Sequence, residues 1–532
     1  MLFSGLTCPQ ITLLPSSSSQ DALIVMPELS LEKGLSEYFV VQNRDQKLND
    51  TQMYDDGLLI WHVDATATQY GFIYDNSYSE HSLIKLKSAD ADHYYQPEHE
   101  FTSISSPSSQ SYRPSNAAVE IKNIQKSATD ISLSASIVNV PEITLSGLQY
   151  FEALSAENLI TANVSSVDAL VKVSLFANDV LVGEDLEAPY QFTVSSAGIN
   201  EGEVVIRAEA LTANAKGVSE LRSLKLPDEP SLLVVNFGND TRLAETLKYF
   251  KKPVVELSDI PIVATENSPA MFIISERYAD TTVFTNDQFS RVQAYVALGG
   301  HVYYENTEWY WESAEINEQW QQLGIVATNQ WSQNDTTISG DNDSVLAGLN
   351  FSTPSSWFLL NELTAAEGFT TAKNLWDIDG EDFSIGVTNT IGSAKIIATT
   401  GEFSWLASGL TTDVLSRYLD FFELDSTLKP SEVSIDLASA SNYFIEGEST
   451  VTFEVRRTFD DNTDSAVTVS VVSENAIVGQ DYLPLATTQI SFLANEELKL
   501  ISLTLTDDLL ADGDKELFIT IEGENVDINN AQ

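Results

Sequence analysis

The sequence predicts a multidomain, mainly β protein built of β-sandwich modules, with one α/β domain set among them. Three observations predict it. At 532 residues the chain exceeds what one hydrophobic core organises, and length sets about three or four domains. Short runs in which apolar and polar residues alternate recur along most of the chain, the mark of half-buried strands. Between residues 227 and 427 that rhythm gives way to continuous apolar runs separated by amphipathic stretches, which predicts parallel strands covered by helices on both faces.

The first segment, 1 to 139, carries period-two runs at Tyr38 to Gln42, Leu58 to Val63, Val119 to Ile124 and Ile131 to Ile137. The polar stretch from Ser103 to Ser115, centred on Ser-Ser-Pro-Ser-Ser, reads as a surface loop. Pro141 opens a second segment, 140 to 226. Its strand runs are Val171 to Phe176, continuing through Asn178-Asp179 and Gly183 to Gln191-Phe192, and Gly202 to Ala208, and their number suits a sandwich.

In the third segment, Leu232 to Asn236 and Met271 to Ser275 read as buried strands and Val302 to Tyr304 as another. Thr241 to Phe250 reads as a helix capped by Asp240, and Asp287 to Leu298 as a helix stopped by Gly299-Gly300. The fourth segment, 428 to 532, returns to strands, chiefly Val451 to Arg457 and Ile490 to Phe492.

Composition excludes several functions. With 78 acidic and 27 basic residues the formal net charge is −51, a field that repels nucleic acid and anionic membrane surfaces and attracts divalent cations. No nucleic-acid partner is expected, and no insertion into a membrane, since no run approaches the roughly 18 apolar residues needed to cross one. The single cysteine, Cys8, rules out a disulfide within the chain. Met1 to Ile11 lacks the basic start and apolar core of a secretory signal.

Glu37-Tyr38-Phe39-Val40-Val41-Gln42-Asn43-Arg44 followed by Gly57-Leu58-Leu59-Ile60-Trp61-His62-Val63-Asp64 resembles the closing part of the peptidase domain in the immune inhibitor A family of secreted zinc metallopeptidases. His81 and Ala89-Asp90 stand where that family places a histidine and an alanine-aspartate pair. The zinc motif of such enzymes, His-Glu-x-x-His, is missing: the nearest approach, His99-Glu100, has Ser103 in the place of the second histidine. No hydrolysis is expected from this polypeptide alone. The resemblance implies a chain that begins inside a longer secreted precursor, with zinc bound only in an upstream catalytic part.

Three further resemblances order the rest. Ala188-Pro189-Tyr190-Gln191-Phe192 and its flanking strands resemble a bacterial immunoglobulin-like spacer. The run Phe289 to Tyr304 is similar to the glutamine-amidotransferase-like fold, of flavodoxin-like type. That segment holds no cysteine, no Gly-x-Ser-x-Gly and only His301, so a nucleophile and its base cannot be assembled and the domain is expected to be inactive. Its default pocket lies around Gly238-Asn239-Asp240 and Glu305-Asn306, with Trp309-Tyr310-Trp311 as a cluster that stacks on a glycan or fills core.

Glu446-Gly447, Val451 to Arg457, Gly479-Gln480-Asp481-Tyr482 and Thr506-Asp507-Asp508 resemble a Calx-beta module, whose final strand the chain is expected to lack. The resemblance implies calcium held by Glu446, Asp481, Asp507, Asp508 and Asp512 at one tip. Calcium takes six to eight oxygens, so acidic loops must converge, and extracellular modules bind at roughly 10⁻⁴ to 10⁻³ M. Lys515 in Asp512-Gly513-Asp514-Lys515 departs from the family's pattern and sets a positive charge near that tip.

His62 and Asp64, two apart on a strand, share one face. With His81, Asp90, Asp92 and His93 they form either a metal site or cleft wall, or a structural pair that orients the strand; the structural pair is the favoured reading. The expected role of the whole is a non-catalytic C-terminal portion of a secreted metallopeptidase, at the cell surface or outside the cell, partnered by the upstream peptidase half or a protein or polysaccharide surface. The alternative is a calcium-dependent surface or adhesion protein.

Overall fold

The computed structural model describes all residues except 1, 4–6, 27–36, 48–50, 52–55, 65–82, 90–93, 111–116, 238–240, 276–283, 307–308, 310–312, 333–336, 353–359, 379–382, 402, 404–405, 407, 430, 438–443, 445–449, 459–463, 487, 494–495, 508, 510–512, 524–525 and 530–532. The chain divides into two compact units, Met1–Leu226 and Pro227–Gln532. Strands dominate both.

In the first unit, residues up to Asn139 build two sheets. One orders Leu2–Phe3, Leu23–Val25, Glu37–Arg44, Gly57–Asp64 and Ile84–Leu86; the other orders Thr7–Leu13, Asp130–Asn139 and Ala117–Ser127. Glu37–Arg44 buries every second residue, as its alternation predicts, and pairs antiparallel with Gly57–Asp64 from Glu37 opposite Asp64 to Arg44 opposite Gly57. Phe39, Val41, Leu58, Ile60, Ile121 and Leu133 meet in the core between the sheets.

Residues 140 to 226 form the predicted sandwich. A five-stranded sheet contains Leu170–Ala177, Val180–Asp185, Gly202–Thr212 and Lys216–Lys225, and a three-stranded sheet contains Tyr190–Ser195, Glu157–Ser165 and Glu142–Ser146. Asn178 and Asp179 both have positive φ, the conformation a two-residue hairpin turn requires. Gly217 is needed for a different reason: a Cβ there would lie 1.9 Å from the Pro141 carbonyl oxygen.

The second unit opens with a nine-stranded mixed sheet. Five parallel strands stand in the order Val254–Leu257, Leu232–Asn236, Ala270–Ser275, His301–Asn306, Ala394–Thr399. Numbered along the chain this is 2-1-3-4-5, the flavodoxin-like order. Helices Arg242–Leu247 and Ser408–Phe421 pack on one face against Leu232, Phe272 and Ile274. On the other, Phe289 of helix Asn286–Ala297 and Trp320 of helix Ala314–Gln322 pack with Tyr304.

Four antiparallel strands, Ser384–Ile391, Lys373–Ile378, Thr337–Gly340 and Asn350–Ser352, extend the sheet beyond what the sequence pattern foretold. The first helix starts at Arg242 with Thr241 as its N-cap, one residue later than the sequence suggested, and Asp240 lies outside the described residues. The second starts at Asn286, where Thr285 and Gln288 form a capping box.

Residues from Ser431 onward fold as a second sandwich. One sheet orders Leu498–Thr504, Thr450–Thr458, Ser431–Leu437 and Val526–Asn529; the other orders Gln489–Phe492, Ser465–Val472 and Phe518–Gly523. The closing strand, Val526–Asn529, pairs parallel with Ser431–Leu437, so a strand forms where the sequence motifs marked none. Val433, Val455, Val467, Val469, Phe492 and Leu503 fill the space between the sheets.

Candidate metal centre

The tip of the last sandwich is built by two segments that hydrogen-bond to each other. Ile477 to Leu483 folds back on itself, with the Asp481 N–H donating to the Ile477 carbonyl at 2.9 Å and the Gly479 N–H to the Tyr482 carbonyl at 2.7 Å. This loop is sewn to the strand Leu498–Thr504 and its extension: the Leu483 N–H donates to the Thr504 carbonyl, the Thr506 N–H to the Asp481 carbonyl, and the Thr506 hydroxyl to the Gln480 carbonyl. Gly479 has positive φ, which the tight return demands.

Asp481 sits at the centre of this arrangement and is only 4% exposed. Its Oδ2 accepts the Ile477 N–H, while its Oδ1 is buried without a hydrogen-bond partner. A buried acceptor left unsatisfied costs about 1–3 kcal/mol, more when charged, so an orphan carboxylate oxygen here fits a cation ligand. Asp507 lies on the adjacent segment, exposed, with its Oδ1 accepting the Leu509 N–H at 2.7 Å. These are the two sequence-nominated ligands that the structure describes. Glu446, Asp508 and Asp512 lie outside the described residues, and among the described residues no group of three His, Cys, Asp or Glu side chains gathers as a metal cage. Lys515 is half-buried on the neighbouring segment, where the Asn475 side chain binds the Asp514 carbonyl and the Glu516 N–H.

The other nominated cluster has a different character. His62 is fully buried, with Nε2 2.7 Å from Glu37 Oε1 and its ring stacked on Phe39 at 4.4 Å. His62 is thus packed between Glu37, which hydrogen-bonds its ring, and Phe39. Burial holds the His62 pKa below the usual imidazole range, against the pull of Glu37 and with Lys87 adding to the depression. Asp64 is half-buried opposite Glu37, and its N–H donates to the Leu83 carbonyl. His81, Asp90, Asp92 and His93 lie outside the described residues. Sequence reasoning missed Glu37; its signal was the register, since a residue diagonal to a strand histidine on the same face is in reach.

At the carboxyl edge of the parallel strands, Glu305 and Asn306 are buried. Glu305 Oε2 accepts the Tyr303 hydroxyl and the Phe403 N–H, the latter at 3.0 Å, which locks the carboxylate into the fold. His301 begins the same strand, at the opposite edge of the sheet, with its Nδ1 accepting the Lys395 N–H at 3.1 Å and its ring stacked on Phe422. Glu305 and His301 thus stand at opposite ends of one strand. Trp309 is buried with its indole N–H on the Thr399 carbonyl, so it serves the core rather than a glycan; Tyr310 and Trp311 are outside the described residues.

Comparison with known proteins assigns two of the segments. Residues 430–532 match the Calx-beta domain. Residues 152–208 match a bacterial Ig domain. No curated protein matches the chain. Among solved structures, the chain is similar to the fibronectin(III)-like modules of CbhA from Clostridium thermocellum, at 25% identity over 16% of this chain and 93% of that one, with a TM-score of 0.15. It is also similar to the endo-beta-1,4-mannanase from Thermotoga petrophila, at 17% identity over 16% of this chain and 20% of that one, with a TM-score of 0.15. Similarity to CBD12 from CALX1.2 spans 42% of this chain and 77% of that one, at 11% identity and a TM-score of 0.16. No helix among the described residues is long and apolar enough to cross a membrane.

Proposed function

We propose that the chain is a non-catalytic, calcium-responsive multidomain protein of the cell surface or extracellular space. In this reading residues 1 to 139, 140 to 226, 227 to 427 and 428 to 532 are successive modules, and the last carries the response. The single observation behind it is Asp481: a buried carboxylate with one oxygen unpartnered, at the tip of a Calx-beta domain, beside Asp507. Calcium bound there would draw on Asp481 and Asp507, with Glu446, Asp508 and Asp512 as the further ligands the sequence nominates. The metal's chemistry is charge compensation and loop fixing; the chain's residues supply the oxygens and hold the loops. Isothermal titration of the full chain with calcium tests this. Heat that saturates in wild type and disappears in Asp481→Asn supports the reading; a flat titration of wild type ends it.

A second reading places these modules behind a peptidase, with the first segment as the closing scaffold of its catalytic domain. What supports it is that the two segments carrying the resemblance, Glu37–Arg44 and Gly57–Asp64, pair along their whole length and supply core. The α/β domain, amidotransferase-like in its sequence run, then acts as an inactive spacer or binding platform. Translating the DNA upstream of Met1 decides this: a His-Glu-x-x-His motif behind a secretory signal supports the peptidase, and its absence leaves the surface protein.

A further inference from the structure

We infer that the acidic tip of the last sandwich is a calcium-dependent docking point for an anionic lipid surface, made by aliphatic side chains that the cation-binding loops themselves carry. The inference rests on the calcium reading above and names the partner of that site.

The two carboxylates and the apolar side chains share the same short loops. The backbone N–H of Ile477 donates to Asp481, and the backbone N–H of Leu509 donates to Asp507. Leu509 is 86% exposed, and Ile477, Val478 and Leu483 are between 45% and 55% exposed. Val472 and Phe518, cross-strand partners at the same end of the sandwich, are also exposed. They join the tip through the Ser473 hydroxyl on the Glu516 carbonyl and the Ala476 N–H on the Ser473 hydroxyl. Exposed apolar residues gathered on loops that hydrogen-bond to one another mark a contact surface rather than scattered surface apolarity.

Its shape and charge select the partner. Leu509 is the most exposed of these side chains, so it stands as an apolar wedge and not as the wall of a groove. A fluid lipid interface accepts such a wedge without a complementary pocket. The chain's net charge of −51 opposes contact with an anionic surface while the loops are empty. Calcium changes the local sign, and lipid phosphates can complete its six to eight oxygen ligands while the aliphatic groups enter the headgroup layer. The field that repels the surface is what makes the contact calcium-dependent. This is peripheral contact through side chains, without a spanning segment.

The test is co-sedimentation of the full chain with phosphatidylglycerol/phosphatidylcholine vesicles at millimolar calcium and with chelator, run beside the calcium titration. Expected is pelleting that needs both calcium and the anionic lipid and reverses with chelator. Leu509→Ser and Ile477→Ser should each weaken partitioning by about tenfold. Leu500→Ser, an equally apolar exposed change four residues down the strand from Thr504, should leave it unchanged. Calcium heat with the protein left in the supernatant while the vesicles pellet overturns the lipid contact and leaves the calcium reading standing, with a protein as the tip's partner. Equal loss in all three serine variants also overturns it. Absence of calcium heat removes both.

Discussion

His62 Nε2 lies 2.7 Å from Glu37 Oε1 across two neighbouring antiparallel strands, both side chains withdrawn from water. Burial is the largest influence on His62 and depresses its pKa, with Glu37 opposing and Lys87 assisting. An unfolded chain has the ordinary imidazole value near 6.5, so below that pH the unfolded state binds the extra proton. Stability from this pair is therefore whole above about pH 6.5 and falls as the solution is acidified. Circular dichroism melts of the full chain between pH 8 and 5 should show the transition of the first unit moving to lower temperature with acid, and His62→Gln should flatten that slope. Glu37→Ala should cost about 1–3 kcal/mol at pH 7.5 by leaving a buried ring nitrogen without its partner.

Asp377 has the opposite sign. It lies on the strand Lys373–Ile378, opposite Ser339, and its carboxyl is pushed up to about 6, by burial first and then by the hydrogen bond and charge of Asp341, while Ser384 and Asn374 pull it down. A folded value above the unfolded one near 3.9 means the native state holds the proton longer, so this stabilisation is present at low pH and is lost as pH rises through about 6. Native-state hydrogen exchange, corrected for intrinsic rates, should show protection of Thr337–Gly340 and Lys373–Ile378 declining between pH 4.5 and 7. Asp377→Asn keeps a hydrogen-bond donor and no charge, and its protection should stay level across that range.

Much of this architecture was readable because it rests on local rules. Glu37–Arg44 alternates, and its inward face is Glu37, Phe39, Val41 and Asn43. Asn178-Asp179 turns the hairpin between two of the strands of the sandwich, and Thr285 and Gln288 cap the helix that stops at Gly299, whose φ is +95. What escaped depends on tertiary placement. Lys373–Ile378 and Ser384–Ile391 join an otherwise parallel sheet as antiparallel strands, and nothing in a mixed run such as Ser-Ile-Gly-Val-Thr-Asn-Thr-Ile at 384 to 391 tells which strand it pairs with or in which direction. Glu37 as the partner of His62 follows from register, which a single sequence leaves open. At the candidate metal centre, the nominated Asp481 is buried with one oxygen unpartnered, yet the exposure of Ile477 and Leu509 has no periodic signal, because loop residues answer to neither helix nor strand spacing.

Arg457 shows how a motif residue earns its position. It is buried, with Nε on the Glu496 carbonyl at 3.2 Å, one terminal nitrogen on the Leu493 carbonyl at 2.8 Å and the other on the Ser465 hydroxyl at 3.1 Å, above the ring of Phe492. It thereby holds the loop opposite the acidic tip. Arg457→Met keeps much of the volume and removes every donor, taking the side-chain partner from the Glu496 carbonyl and the Ser465 hydroxyl, while the Leu493 carbonyl keeps the Glu496 N–H. Urea unfolding of the full chain, followed through the last sandwich, should show a loss of about 2–4 kcal/mol. A loss below 0.5 kcal/mol would mean water replaces the guanidinium at no cost.

Asp481 joins stability to ligand binding. One of its oxygens fixes the loop through the Ile477 N–H and the other is buried unpartnered, so the tip carries a standing penalty that a bound cation would relieve. Binding to the native state alone raises stability by RT ln(1 + [L]/Kd), about 2.7 kcal/mol at a hundredfold excess over Kd. Differential scanning calorimetry should therefore move the last sandwich's transition upward with calcium, and chelator should return it. Asp481→Asn separates the two roles, because its amide oxygen can still accept from Ile477 while its charge is gone. The metal-free variant should melt at or above the metal-free wild type and should not respond to calcium. An unchanged calcium response in Asp481→Asn would show that the orphan oxygen is not a ligand, and would move the site to the exposed carboxylates around Asp507.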